Sequence, residues 1–288
     1  MVEEWDDLIA LEVKKDDLNT KPKQNNLLII DGNNLAFRYV GKHNYASFYD
    51  DYINTAYSLA KSYSAERVII CFDYGKSYYR NNILPTYKDS RKKELTEEEQ
   101  ERKEAFFNCL NDLINNYLDI EHYKFRGVEA DDLITFFVDH LSEDYDHTWI
   151  VSSDKDLYQL LDEDVSIFNI FSRKEITVQS LLEDFECTPE EYLVAKIIMG
   201  DSGDTIPGVE GIGIKRGLGI AKKYKTIPNL IDSLPIAGKA KYIQNLNNSK
   251  DLLDLNENMI NLFDYYEEAI KEGSEGETAW HTLLNACK

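Results

Sequence analysis

Apolar residues in this chain gather in short runs without alternation, and several of these runs end on a carboxylate. Leu27–Ile30 reads as a buried strand closed by Asp31 and a Gly-Asn-Asn turn, and Val68–Phe72 as a second closed by Asp73. Thr148–Ser152 reads as a third, followed at once by Asp154 and Asp156. Between the first two, TAYSLAKSYSA has helical spacing. Further on, GVEADDLITFFVDHLSE opens a helix whose Leu133, Phe136, Phe137 and Leu141 form one stripe, with Glu129, Asp131 and Asp132 in its first turn. Strands alternating with helices predict an α/β fold with a mostly parallel central sheet flanked by helices. In such a sheet the acid-tipped strand ends share one edge, outside which open α/β sheets bind their ligands.

Residues 74–105 have a different texture. YGKSYYRNNILPTYKDSRKKELTEEEQERKEA mixes rings and bases, then turns into a charged helix announced by Thr96 with Glu99 three residues later, a capping box. The segment is expected to be solvent-exposed. Glu97–Glu104 needs no more than a surface helix, whereas Arg80, Tyr87, Lys88, Arg91, Lys92 and Lys93 interleave aromatic and cationic groups as single-stranded nucleic acid requires. A second distinctive stretch is IIMGDSGDTIPGVEGIGIKRGLGIAKKY, residues 197–224. It places Asp201 and Asp204 just before Gly208, Gly211 and Gly213, which predict a tight connection between helices, with Lys215 and Arg216 at the next helix start. Exposed amides of such a turn can hold a phosphate.

Length and composition set the frame for these motifs. The 288 residues suit about two domains. A hydrophobic fraction of 43% with 30% charged residues describes a water-soluble protein, and no apolar run reaches the roughly 20 residues of a membrane span. The acidic start MVEEWDDLIALEVKK lacks the order of a signal peptide, so a cytoplasmic location is expected. Cys71, Cys109, Cys187 and Cys287 form no CxxC pair, which argues against zinc and disulfides. The five histidines form no ligand spacing. A net charge of −21 opposes phosphate binding at first sight. Much of it sits in residues 1–20, with seven acids against Lys14 and Lys15, and in residues 251–288, with nine against Lys271 and Lys288. Residues 196–225, by contrast, are locally basic through Lys196, Lys215, Arg216, Lys222, Lys223 and Lys225.

Asp31, Asp73, Glu129, Asp131, Asp132, Asp154, Asp156, Asp201 and Asp204 thus stand at the ends of apolar runs instead of on solvent faces. Assembled without cations, so many acids would raise one another's pKa and cost stability, which points to hard divalent ions with oxygen ligands, magnesium or manganese. Acids in a helix's first turn are favoured by the helix dipole alone. The acid-tipped strands beside them shift the balance to a metal site.

The ordered motifs IIDGNNLAFR, CFDYGKSYYR, LPTYKDSRKK, RGVEADDL, VSSDKDLYQLL, IMGDSGDTIPGVEGIGIKRG and LPIAGKAKYIQNLN resemble those of the structure-specific 5′ nuclease family. That family comprises flap endonucleases, the 5′-nuclease domain of bacterial DNA polymerase I and, in particular, the 5′-exonucleases of T-odd bacteriophages. The resemblance covers about residues 26–250. It implies an acidic N-terminal extension over 1–25 and a PIN-like 5′-nuclease core over 26–185 with a helical arch at about 76–105. A helical region over 186–288 would follow, with a helix-hairpin-helix-like motif at about 197–224.

Residue by residue, the resemblance implies a first metal cluster of Asp73, Glu129, Asp131 and Asp132 and a second of Asp154, Asp156, Asp201 and Asp204, with Asp31 between them. Lys88 would contact the scissile phosphate with Arg91 beside it, and Tyr87 would stack a nucleobase; by their own charge, Arg80, Lys92, Lys93 and Lys196 are expected to add DNA contacts. Gly208, Gly211, Gly213, Lys215 and Arg216 would grip duplex phosphates, with a potassium ion at the same motif. Gly203, Thr205 and Ile214 depart from the usual family wording without removing a ligand. The implied activity is a magnesium-dependent 5′–3′ exonuclease and flap endonuclease of DNA replication and repair, monomeric and in the cytoplasm, the host's if phage-encoded. A DNA-junction-binding protein with weak catalysis is the rival reading. A phosphatase built on Asp31 is weaker, because the second aspartate it needs is Asn33.

Overall fold

The computed structural model describes residues 25–40, 47–91 and 96–288. A six-stranded sheet runs β3-β2-β1-β4-β5-β6, with β1 at Asn26–Asp31, β2 at Ala65–Cys71, β3 at His122–Tyr123, β4 at His147–Val151, β5 at Val165–Asn169 and β6 at Lys174–Ile176. The first five are parallel and β6 closes the edge antiparallel to β5. All six residues of β1 are buried, as the unbroken apolar run requires of a central strand. β2 begins three residues before the predicted Val68 and ends at Cys71. The helix anticipated around residue 55 begins at Phe48 and ends at Ser62.

Sheet topology positions the acids. The chain builds outward from β1 through β2 to β3, then returns to β4 on the other side of β1, so strand order reverses between β1 and β4. Such a reversal leaves a crevice where crossovers leave in opposite directions. Asp31 ends β1 opposite Cys71 of β2, and Ile30 pairs with Val151 of β4. Asp31, Asp73 and Asp154 therefore arrive at this crevice by register alone.

Alternation along β1 sends Leu27 and Ile29 to one face and Leu28 and Ile30 to the other. The first face shares its core with the helix Ala130–Leu141 and with Leu253, Met259, Leu262, Ile270 and Trp280 of the helical region. The stripe Leu133, Phe136, Phe137 and Leu141 is buried there as predicted. The second face packs Phe48, Tyr52 and Phe72 against Phe106 and Leu110, from the end of the helix Glu97–Asp112. That helix starts at the predicted capping box of Thr96 and Glu99. Every residue from Thr96 to Ala105 is exposed, so its first half projects into water while its last turns are rooted in the core.

The expectation of an exposed segment over 74–105 fails for its first part. Ser77, Tyr79, Arg80 and Tyr87 are buried, because the helix Tyr78–Ile83 packs beneath the helical region. Among the described residues no helix is long and apolar enough to cross a membrane.

Candidate active site

The nine acids fall into two kinds, distinguished by what neutralises them. Asp31, Asp73, Asp131 and Asp154 form the middle. Asp31 accepts hydrogen bonds from the Asn34 amide at 3.0 Å and the Ser152 hydroxyl at 2.8 Å, and Asp73 from the Ala130 amide at the start of its helix at 2.8 Å. Asp154 accepts from the Asp156 amide at 2.9 Å. Among the described residues, none donates a hydrogen bond to the Asp131 carboxylate. Burial, reinforced by Asp73 and Asp154, pushes Asp31 up to about 7. Burial and then Glu129 raise Asp73, and burial with Asp154, Asp31 and Asp73 holds Asp131 well above the usual carboxylate range. Hydrogen bonds from neutral groups do not offset that much gathered charge.

Each outer acid has a cation from the protein itself. Arg80 takes both oxygens of Asp132 at 2.8 Å each, donates to the Met259 carbonyl at 3.0 Å and lies 3.6 Å from Glu129. Burial works against the guanidinium, yet Asp132 keeps it charged. Lys88 donates to Glu129 at 2.6 Å and lies 3.9 Å from Asp204. Burial opposes the ionised Glu129, and Lys88 and Arg80 overcome it, holding its pKa below the ordinary value. The Tyr87 hydroxyl donates to Glu129 at 2.8 Å and to Asp204 at 3.2 Å. Arg91 also pairs with Asp204. Lys196 bridges Asp156 and Asp201 at 2.7 Å each. Asp201 is held low by Lys196 against burial, whereas burial leaves Asp156 raised despite the same lysine.

A second set of contacts fastens residues 87–91 to the loop 201–205. The Lys88 amide donates to the Asp204 carbonyl at 2.9 Å, the Ser90 amide to the Thr205 hydroxyl at 3.0 Å and the Ser90 hydroxyl to the Gly203 carbonyl at 2.7 Å. Lys88 and Thr205 both sit at positive φ, 59° and 63°, backbone strain of a kind that persists where surroundings hold it. Gly203 and Thr205, the departures from family wording, are thus the groups that receive Ser90.

These contacts correct several expectations. Arg80 is 3% exposed and tied to Asp132, so it is an internal counter-ion with no face for DNA. Tyr87 is 2% exposed and aims its hydroxyl at acids instead of offering a ring to a base. Lys196 is spent on two carboxylates. Asp132 is fully buried with both oxygens taken by one guanidinium, unlike Asp73 and Asp131 of the cluster expected for it. Among the described residues, Glu129, Asp132, Asp156, Asp201 and Asp204 meet protein cations, whereas Asp31, Asp73, Asp131 and Asp154 do not. Lys92 and Lys93 lie outside the described residues, as do residues 1–24 of the acidic extension.

The glycine-rich connection does lie between helices, Pro189–Met199 and Ile214–Tyr224. Gly208 passes so close to the preceding helix that a Cβ there would stand 1.6 Å from the Met199 carbonyl oxygen. Gly211 has φ of 85°, and Gly213 caps the second helix. Lys215 and Arg216 are exposed on its first turn, with Arg216 4.5 Å above the Tyr242 ring and donating to the Gly211 carbonyl at 2.5 Å.

Sequence reasoning missed Ser152, Asn34, Ser77 and Ser90. The Ser77 amide contributes a 3.4 Å bond to Glu129, and the Ser77 hydroxyl caps the helix that carries Arg80. Their only signal was adjacency, since Ser152 precedes Asp154 by two residues and Ser90 lies between Lys88 and Arg91.

The donors at the middle are all anionic oxygens, the set that hard divalent ions prefer, and the unpartnered Asp131 fits a cation. Among the described residues, however, no three His, Cys, Asp or Glu side chains close into a ready-made cage. The site is an electrostatic basin.

Residues 26–186 match the family described as 5′-3′ exonuclease, N-terminal resolvase-like domain, and residues 187–272 match the 5′-3′ exonuclease, C-terminal SAM fold. The chain is 41% identical to the flap endonuclease of Escherichia phage T5 over 250 residues, 85% of this chain and 86% of that one. It is 30% identical to a 5′-3′ exonuclease of Buchnera aphidicola, covering 74% and 75% respectively. A crystal structure of the phage T5 flap endonuclease in a complex with DNA and metal ions matches with a TM-score of 0.86 at 38% identity, over 91% of this chain and 99% of that one. Two family matches that together run from residue 26 to 272, on a parallel sheet with acids along its crevice, establish that the chain belongs to the 5′-3′ exonuclease family.

Proposed function

We propose that this nuclease hydrolyses phosphodiester bonds of DNA at 5′ flaps and 5′ ends in replication and repair, with magnesium, or manganese in its place, held by Asp31, Asp73, Asp131 and Asp154. The observation that carries the reading is the buried Asp131 carboxyl, which receives no hydrogen bond among the described residues and whose ionisation burial and its three acidic neighbours oppose. Bound divalent ions supply an activated water and stabilise the departing 3′ oxygen. The relative from phage T5 was crystallised with both DNA and metal ions, which supports the same pairing here.

The chain's own residues then have distinct tasks. Lys88, 17% exposed in its side chain and poised between Glu129 and Asp204, places a positive charge at the mouth of the basin, where the phosphorane-like transition state gains negative charge. Burial disfavours its ammonium, but the two acids keep it protonated, so it acts as a fixed charge and not as a base. Arg91, 59% exposed in its side chain, lies on the 3₁₀ turn Asp89–Arg91 that follows Lys88 and can meet the incoming DNA strand. Lys215 and Arg216 face solvent, as contacts to duplex phosphates require, and a potassium ion at the connection would suit its carbonyls.

The test is incubation of the protein with a 5′-fluorescent flap duplex in magnesium or in EDTA. Magnesium-dependent release of a short labelled oligonucleotide cut near the junction is expected. Intact DNA that is retarded on a native gel would replace this reading with junction binding.

A further inference from the structure

We infer that the open pocket at the β3 edge of the sheet, lined by Tyr74, Asn111, Asn115, His122, Lys124 and Phe125, holds one unpaired nucleotide of the DNA substrate. Its base would lie against Tyr74 and its phosphate on Lys124. The inference rests on the nuclease reading above and adds to it a site distinct from the acids.

Position is the first support. Tyr74 directly follows Asp73, and its backbone is pinned in both directions, its amide donating to the Val128 carbonyl at 3.3 Å and its carbonyl accepting from the Gly127 amide at 2.8 Å. The backbone that carries the ring is therefore fastened to the loop that leads to Glu129. Lys124 follows β3, whose Tyr123 pairs with Cys71 in the strand that leads to Asp73. The pocket thus opens on the acid-bearing edge, one strand out from β2.

Chemistry is the second. The cavity measures about 640 Å³, within the range that encloses small ligands. Tyr74 leaves 46% of its surface in water, so its ring is open to a stacking partner. The Lys124 ammonium lies 4.8 Å from the Tyr74 centroid and donates to the Asn111 side-chain oxygen at 2.7 Å. Among the described residues no carboxylate pairs with it, whereas Lys76, Lys88 and Lys196 are each matched to an acid. Partial burial lowers its pKa, which a phosphate beside it would reverse. The helix behind it ends in a widened i to i+5 turn over Leu113–Tyr117, a form frequent at functional sites, and this turn carries Asn115 to the rim. A ring, a flexible unpaired cation and two amides are the groups that stack, neutralise and read the edge of a nucleotide. The four-carbon stem of Lys124 lets its ammonium swing from ring to phosphate as the base arrives.

Fluorescence anisotropy in EDTA, where cleavage is blocked, tests the site with a hairpin duplex carrying a 5′ overhang and with the same hairpin made blunt. Tyr74→Ala and Lys124→Gln should each weaken the overhang complex about tenfold and leave the blunt complex unchanged, while Tyr74→Phe keeps wild-type affinity. A 2-aminopurine in the overhang beside the junction should be quenched by the wild type and not by Tyr74→Ala. Equal losses on both hairpins, or unchanged affinity and quenching, would overturn the pocket. Because these readings need no cleavage, a wild type that binds overhangs through Tyr74 yet never cuts in magnesium would sink the nuclease reading alone.

Discussion

The middle and the flanks of the acidic edge are made of the same residue type and solve opposite problems. Asp132, Glu129, Asp204, Asp156 and Asp201 are each paired with one of Arg80, Lys88, Arg91 and Lys196. Asp31, Asp73, Asp131 and Asp154 receive neutral donors or none, and their charge stays in deficit. The difference separates acids paired with protein cations from acids with none among the described residues, although all nine look alike in the sequence.

The sharpest way to break this comparison is at Arg80. Removing it as Arg80→Ala leaves Asp132 buried and unpaired, and urea unfolding should show a loss of about 3–5 kcal/mol. The pair Arg80→Met with Asp132→Leu should recover most of it. A loss below 1 kcal/mol for the single variant would remove Asp132 from the structural set. At Lys88, a flank residue that also faces the reaction, Lys88→Ala is expected to reduce turnover by about 10²–10³ while duplex affinity stays within a few-fold. Equal losses in both would make Lys88 a binding residue.

The middle should respond in the reverse sense. Asp131→Asn deletes a buried uncompensated charge, so in EDTA it should raise stability by about 1 kcal/mol or more, and it should abolish the melting-temperature increase that magnesium gives the wild type. A destabilised Asp131→Asn protein that still responds to magnesium would place Asp131 among the flanks. The pH dependence follows from Asp31. With a folded pKa of about 7 against 3.8, the native state binds the extra proton between those values, so this group's contribution to metal-free stability is present below pH 4 and is lost as pH rises to 7. Melting curves in EDTA from pH 4.5 to 8 should be steeper for the wild type than for Asp31→Asn, and parallel curves would refute the shift. The smallest effect is expected at Ser90, where Ser90→Ala frees the Lys88 segment from the Gly203 carbonyl and should lower kcat a few-fold without altering stability measurably. A change in KM alone would argue against positioning.

What could be read from sequence and what could not follows this same division. Strands that lead to Asp31, Asp73 and Asp154 were legible because burial and strand ends are written in local hydrophobic runs. The Thr96 capping box and the helix after Glu129 were legible for the same local reason. Pairing is not local. Arg80 and Asp132 lie 52 residues apart, and nothing in YYRNNI says that its arginine turns inward. Lys196 looked like part of a basic surface because Asp156, one of its two partners, comes from a different strand connection. Composition supplied a count of charges, whereas the fold decides which of them meet.

Gly208 joins these levels. The space beneath it is filled by the Met199 carbonyl, so no larger residue fits without moving the helix Ile214–Tyr224 away from the loop that bears Asp201 and Asp204. A duplex held at Lys215 and Arg216 would consequently be measured against the acidic crevice by a ruler of fixed length. The number of nucleotides between grip and cut is then a property of one hydrogen atom's worth of room.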